Sequence, residues 1–130
     1  LFLCNANSAR SLMGEVLLRH MAGDRFESFS AGSEPDEPHA LTLEALKKQG
    51  LSTEGLHSKS LDQFENEAFD VVIVLCDKAQ QACRDWQGKA GEILFWDIRD
   101  PRLISKLDAY EQALFEIRRR LQLWLPLQKS

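Results

Sequence analysis

The sequence predicts an α/β fold in three layers, a four-stranded parallel sheet with helices on both faces. Three observations predict it. Four apolar runs are short and bounded by polar or turn residues, as strands buried in a parallel sheet are. Segments of helical periodicity alternate with them, which implies right-handed crossovers. The 130 residues suffice for one domain to bury a core without disulfides or metal, so residues 1–130 are read as a single domain.

The elements follow in order. Leu1 to Leu3 is the first apolar run; it opens in mid-strand, so a few residues including an initiator Met are expected before it. Ser11 to Met21 reads as a helix, with Leu12, Val16 and Leu17 on one face. Phe26 to Phe29 is the second expected strand, and Gly32 to Pro38 a polar loop. A helix from Pro38 to Gln49 is marked by Leu41, Leu43, Ala45 and Leu46, with Gly50 as its stop. Val71 to Leu75 and Ile93 to Trp96 are the third and fourth strands. Asp108 to Leu125 carries Ala109, Leu114, Phe115, Ile117, Leu121 and Leu125 at helical spacing; the intervening Arg118, Arg119 and Arg120 form a solvated face.

Composition narrows the function classes. Sixteen basic and twenty acidic residues give a net charge of −4, so no general attraction to nucleic acid or to an anionic membrane is expected. No signal peptide or span of membrane length is visible. Three cysteines, an odd number, fit a reducing cytoplasm, where cysteines are more often catalytic or metal-binding than structural.

The stretch Cys4-Asn5-Ala6-Asn7-Ser8-Ala9-Arg10-Ser11 follows the first strand and leads into the first helix. Small residues between a strand and a helix form a tight loop whose N–H groups can turn inward. With the positive end of the helix dipole, such a loop binds a tetrahedral anion. The same field favours the thiolate of Cys4, the form of cysteine that attacks. Arg10 is placed to fork two hydrogen bonds onto the oxygens of the group attacked. The competing reading is a buried structural cysteine, a common fate of free Cys.

Ligands of open parallel sheets bind beyond the strand C-termini, and Cys76 also sits there, seven residues before Cys83. If the segment between them is a regular helix, their Cα atoms lie about 10 Å apart. A disulfide needs less than about 7 Å, so the pair bonds only if the helix unwinds or loops out. Spacing alone leaves open a dithiol or two packing residues. No His stands near either cysteine, which argues against zinc. An oxygen leaving group needs a proton donor, and Asp100, after the last strand and before Pro101, is the choice over Asp97. His20, His39 and His57 are read as surface residues.

These residues and others in the same order resemble the low-molecular-weight protein tyrosine phosphatase family in its thioredoxin-coupled arsenate reductase branch. The likeness runs through Cys4 to Glu15, Ser30-Ala31-Gly32, Gly55 to Ser60, Phe69 to Asp77, Cys83, Trp86, Gly88 and Asp100-Pro101. It implies Cys4 as nucleophile, Arg10 and the backbone of Asn5, Ala6, Asn7, Ser8 and Ala9 as oxyanion cradle, and Asp100 as general acid. It also implies Ser11 as a hydroxyl that stabilises the thiolate, and Asn7 as the residue that shapes the loop. Cys76 and Cys83 match the two further cysteines of the reductases. The implied partners are arsenate or phosphate and a thioredoxin- or glutaredoxin-type reductant, with a cytoplasmic monomer and no cofactor. Lys78, Arg84 and Ala6 depart from residues common in the branch. Lys59 stands where some reductases have an acid that helps hold potassium, so no metal is expected. Arsenate reductase is the first reading. A phosphatase of phosphotyrosine or small phosphate esters is the second, disfavoured because Arg102 and Leu103 replace the tyrosines usual after Asp-Pro. A redox sensor with a Cys4 to Cys76 disulfide is the third.

Overall fold

Central strands that are apolar on both faces need cover on both, and the computed structural model, which describes residues 1–128, shows how it is supplied. Strands β1 (Phe2–Cys4), β2 (Ser30–Gly32), β3 (Ala68–Val74) and β4 (Lys89–Phe95) form one parallel sheet in the order β2-β1-β3-β4. The helices are α1 (Arg10–Ala22), α2 (Ala40–Lys48), α3 (Asp77–Asp85) and α4 (Leu107–Trp124). The α/β class, the strand number and the three layers agree with the sequence reading.

One face of the sheet packs beneath α1, α2 and α4. There Phe2, Met13, Leu17, Leu46, Ile73, Leu75, Trp96, Tyr110 and Ile117 form the larger core cluster. Helix α1 is buried nearly all round, since β1 and β2 lie on one side and α4 on the other. Gly14 makes this possible, because a Cβ there would collide with the Phe2 ring. On α4 the buried residues Tyr110, Ala113, Leu114, Ile117 and Leu121 recur at helical spacing and form one apolar stripe. The other face is thinner. Leu1, Leu3, Val72, Val74, Ala79 and Cys83 are joined by the rings of Phe29, Phe64, Phe69 and Trp86, and α3 covers them with a single turn at Leu61–Phe64.

Two strands lie elsewhere than expected, and β3 begins three residues before the expected Val71. Phe26–Phe29 is not a strand: the Phe26 N–H still bonds back to Ala22, and its ring packs on Trp124. The strand is the following Ser30-Ala31-Gly32, whose residues pair with Phe2, Leu3 and Cys4 and are fully buried. Only small side chains fit there, because a Cβ on Gly32 would stand 2.6 Å from the Asn5 carbonyl. Strand β4 begins four residues before the expected Ile93, since its first half is polar and exposed as an edge strand allows. The other helices match expectation closely, and Gly50 takes φ of +73° just beyond α2, with its N–H on the Lys47 carbonyl.

Candidate active site

All four strands end at one edge, and the chain beyond them builds a single site. Cys4 closes β1 and is buried. The loop that follows is held from outside by its carbonyls. Asn5 O accepts from the Glu34 N–H at 2.8 Å, Ala6 O from the Asp36 N–H at 2.8 Å, Asn7 O from Ser58 Oγ at 2.6 Å and Ser8 O from the His39 N–H at 3.0 Å and Thr42 Oγ1 at 2.8 Å. With every carbonyl facing outward, the N–H groups of Ala6 to Ala9 face inward, and among the described residues they donate to no protein acceptor. Such an inward ring at the start of a helix can receive an anion. The segment Gly32 to Pro38 is therefore more than the polar loop expected, since it supplies two of these donors.

Asn7 takes φ of +49°, a conformation that asparagine tolerates better than most residues. Its side chain explains why it stays there: Nδ2 donates to Ser11 Oγ at 2.6 Å, and Oδ1 accepts from the Lys59 N–H at 2.8 Å. Ser11 Oγ, engaged by Asn7, lies 2.8 Å from Cys4 Sγ. This chain of contacts fixes the sulfur and places a hydroxyl beside it. Below the loop the buried Glu15 carboxylate accepts from Ser30 Oγ at 2.5 Å, Arg19 at 2.9 Å and the Lys59 ammonium at 3.2 Å. Lys59 thus sets a positive charge of its own against this carboxylate.

Arg10 is anchored by Nη1, which donates to Leu75 O at 3.0 Å and Ile98 O at 2.8 Å, carbonyls just past β3 and β4. Its Nη2 lies 3.5 Å from Asp100 Oδ2. Asp100 is extended, as the following proline requires, and caps a short turn at Pro101–Leu103. Burial pushes its carboxyl up, but hydrogen bonds from the Arg102 side chain and backbone and the charges of Arg10 and Arg102 outweigh it and leave it below its ordinary value. Asp97 is exposed. His39 is half-buried and not a free surface residue: its Nδ1 caps α2 by accepting from the Leu41 N–H at 3.1 Å, and its ring stacks on Tyr110. His20 and His57 are exposed.

Cys76 is half-buried at the N-cap of α3, and Cys83 is buried seven residues on; both are free thiols. Their helix is regular from its first turn, with the Gln80 N–H on Cys76 O at 3.1 Å. The rise of a helix then keeps the two Cα atoms about 10 Å apart. Burial pushes the Cys83 thiol up. Arg102 and Tyr110 complete the surroundings of Asp100 and were not legible as site residues, since each reads as an ordinary turn or helix residue. The departure after Asp100-Pro101 was the one signal for Arg102. Among the described residues no three His, Cys, Asp or Glu side chains gather as metal ligands, and no helix is long and apolar enough to cross a membrane.

The chain is similar to known proteins. The family model for low molecular weight phosphotyrosine protein phosphatase matches residues 1–130. An arsenate reductase of Halalkalibacterium halodurans is 30% identical over 114 residues, 88% of this chain and 81% of that protein. A glutaredoxin arsenate reductase of Synechocystis is 25% identical, covering 94% of this chain and 92% of that one. Among solved structures, an arsenate reductase in the phosphate binding state superposes with a TM-score of 0.82 over 98% of this chain and 96% of its own, a likeness of fold at 20% identity.

Proposed function

The chain belongs to the low-molecular-weight phosphotyrosine protein phosphatase family, and from that premise we propose that it is an arsenate reductase working through a three-cysteine relay. The observation that carries this reading is Cys76 at the sheet edge of the anion loop, with Cys83 seven residues on along the helix that Cys76 caps. Hydrolysis of a phosphate ester needs the loop and an acid alone; reduction of an oxyanion also needs two electrons, and thiols can supply them.

Cys4 is the nucleophile. Its thiolate attacks arsenic(V) while the inward N–H groups of the loop and Arg10 bind the remaining oxygens, where charge develops. Asp100, protonated in the complex, gives its proton to the departing oxygen, which leaves as water. The Cys76 thiolate then attacks Cys4 Sγ; the sulfur–arsenic bond breaks, its electron pair stays on arsenic, and arsenite departs. Cys83 attacks Cys76, which releases the Cys4 thiolate and leaves a Cys76 to Cys83 disulfide. That disulfide closes only with α3 unwound, and a thioredoxin- or glutaredoxin-type dithiol reduces it. The name of the Synechocystis relative supports a reductant of this kind.

A phosphatase is the second reading, supported by a loop that suits phosphate as well as arsenate. The test is arsenite production from arsenate by the purified protein with thioredoxin and glutaredoxin systems compared, beside hydrolysis of an aryl phosphate. Turnover of arsenate with either reductant is expected. Efficient ester hydrolysis with no arsenite under any reductant would assign the protein to the phosphatases instead.

A further inference from the structure

Arg10 has one terminal nitrogen left for a ligand. Nη1 is consumed by the Leu75 and Ile98 carbonyls, and Nη2 is approached by Asp100 Oδ2 at 3.5 Å. The carboxylate is turned there by a residue two positions on. Arg102 donates from its backbone N–H to Oδ1 at 3.0 Å, from Nε to both oxygens at 3.2 and 3.3 Å, and from Nη2 to Oδ2 at 3.0 Å. Asp100 therefore sits, as an anion, on the guanidinium that an oxyanion in the loop requires.

We infer that Arg102 is a positioning residue that couples oxyanion binding to protonation of the acid: it parks the Asp100 carboxylate on Arg10, and an entering oxyanion displaces the carboxylate, which takes up a proton from solvent. The inference rests on the reading of the Cys4 to Ser11 loop as an oxyanion cradle. Arg10 faces Asp100 from α1, and Arg102 from its own turn. The charges of Asp100 and Cys4 both act on Arg102, and Tyr110 faces the pair from α4. Burial and the charge of Asp100 push the Tyr110 hydroxyl up, and among the described residues it is buried without a hydrogen-bond partner. His39 stacks on Tyr110 from the start of α2.

The sign of the effect follows from these neighbours. In the free protein the two arginines hold Asp100 ionised below the ordinary carboxylate range. A bound dianion takes over Arg10 and adds negative charge beside the carboxyl, and both changes favour its protonated form. Between the two values the oxyanion complex holds one proton more than the free protein, so affinity falls as pH rises. The acid is then loaded in the complex that needs it.

Sulfate binding to the full chain carrying Cys4→Ser tests this, because sulfate stays a dianion throughout and the substitution removes the thiol's own titration. Calorimetry in buffers of different ionisation enthalpy, from about pH 4 to about pH 7, should find uptake approaching about one proton and an affinity that weakens by up to about tenfold per pH unit. Adding Asp100→Asn should abolish both and tighten sulfate near neutrality; any share from His39 persists there and is subtracted. Adding Arg102→Gln should move the uptake window to higher pH and tighten sulfate several-fold at neutral pH, with Arg102→Lys between. An affinity independent of pH with Asp100 present overturns the inference alone. Weaker sulfate binding by the Arg102→Gln protein also overturns it, since Arg102 would then be an anion ligand. No sulfate binding in any variant removes the cradle reading and this inference with it.

Discussion

The loop around Cys4 and the helix between Cys76 and Cys83 both start at one sheet edge, yet they are built to opposite specifications. The carbonyls of Asn5, Ala6, Asn7 and Ser8 are each tied to a neighbouring segment, and Asn7, Ser8, Arg10 and Ser11 are buried. Helix α3 has nine residues, no side-chain hydrogen bond at its N-cap and only Ala79 and Cys83 buried. A site that stabilises charge gains by being set in advance. A segment that has to bring together two sulfurs spaced about two helix turns apart gains by opening at low cost. In the proposed relay the chemical step falls to the rigid region and the electron delivery to the labile one.

The largest expected effect tests what the two regions share. Cys4→Ser should remove arsenate reduction and aryl phosphate hydrolysis together, by roughly 10³-fold or more; an unchanged hydrolysis rate would place the nucleophile elsewhere. Next in size are the changes that should separate them. Cys76→Ser should block arsenite release, and Cys83→Ser should stop after one turnover with a Cys4 to Cys76 disulfide visible by mass spectrometry. Both should keep ester hydrolysis. If both variants sustain multiple turnovers of arsenate with the same reductant, the relay is wrong and an external thiol services Cys4. Asp100→Asn should cost about 10²- to 10⁴-fold in both activities, while Asp97→Asn, altering an exposed residue, should match the parent in steady-state kinetics.

Two smaller effects probe rigidity itself. Gly32→Ala places a Cβ 2.6 Å from Asn5 O and 2.8 Å from Asn7 N, both backbone atoms, so the loop must shift. A loss of about 1–3 kcal/mol in unfolding free energy, with lowered activity, is expected; an unaffected protein would show that the loop is softer than its hydrogen bonds imply. Gln81→Gly on the exposed side of α3 should weaken that helix by about 1 kcal/mol. Oxidation of the Cys76 and Cys83 pair should then quicken a few-fold while ester hydrolysis holds. Slower oxidation would mean that the intact helix, not its opening, presents the thiols.

The legible part of this molecule is the part that is local in sequence. Cys4 to Ser11 is contiguous, so strand, small residues, arginine and hydroxyl could be read from spacing, and Asp100 was marked by its place after the last strand. What supports them is not local. Ser30-Ala31-Gly32 was missed as a strand because apolar content reports burial, whereas this strand is buried by being small enough to lie beside the loop. Phe26 and Phe29 supplied the apolar signal but spend it on Trp124 and on Phe64 and Phe69. His39 looked solitary because its partner Tyr110 is 71 positions away on α4. Arg102 lies beside Asp100 in sequence, but only the turn at Pro101 folds its guanidinium back onto the carboxylate.

The carbonyl of Leu75 that holds Arg10 belongs to the same planar peptide group as the amide nitrogen of Cys76. Because that plane moves as one body, it works as a common axle for the two regions. Motion of Cys76 that turns the plane withdraws a carbonyl from the guanidinium and loosens the grip on the anion. Unwinding confined to Asp77 and beyond leaves Arg10 where it is. The order in which α3 opens, from its first peptide or from its middle, therefore sets whether product departure and disulfide exchange share one mechanical stroke or run as two.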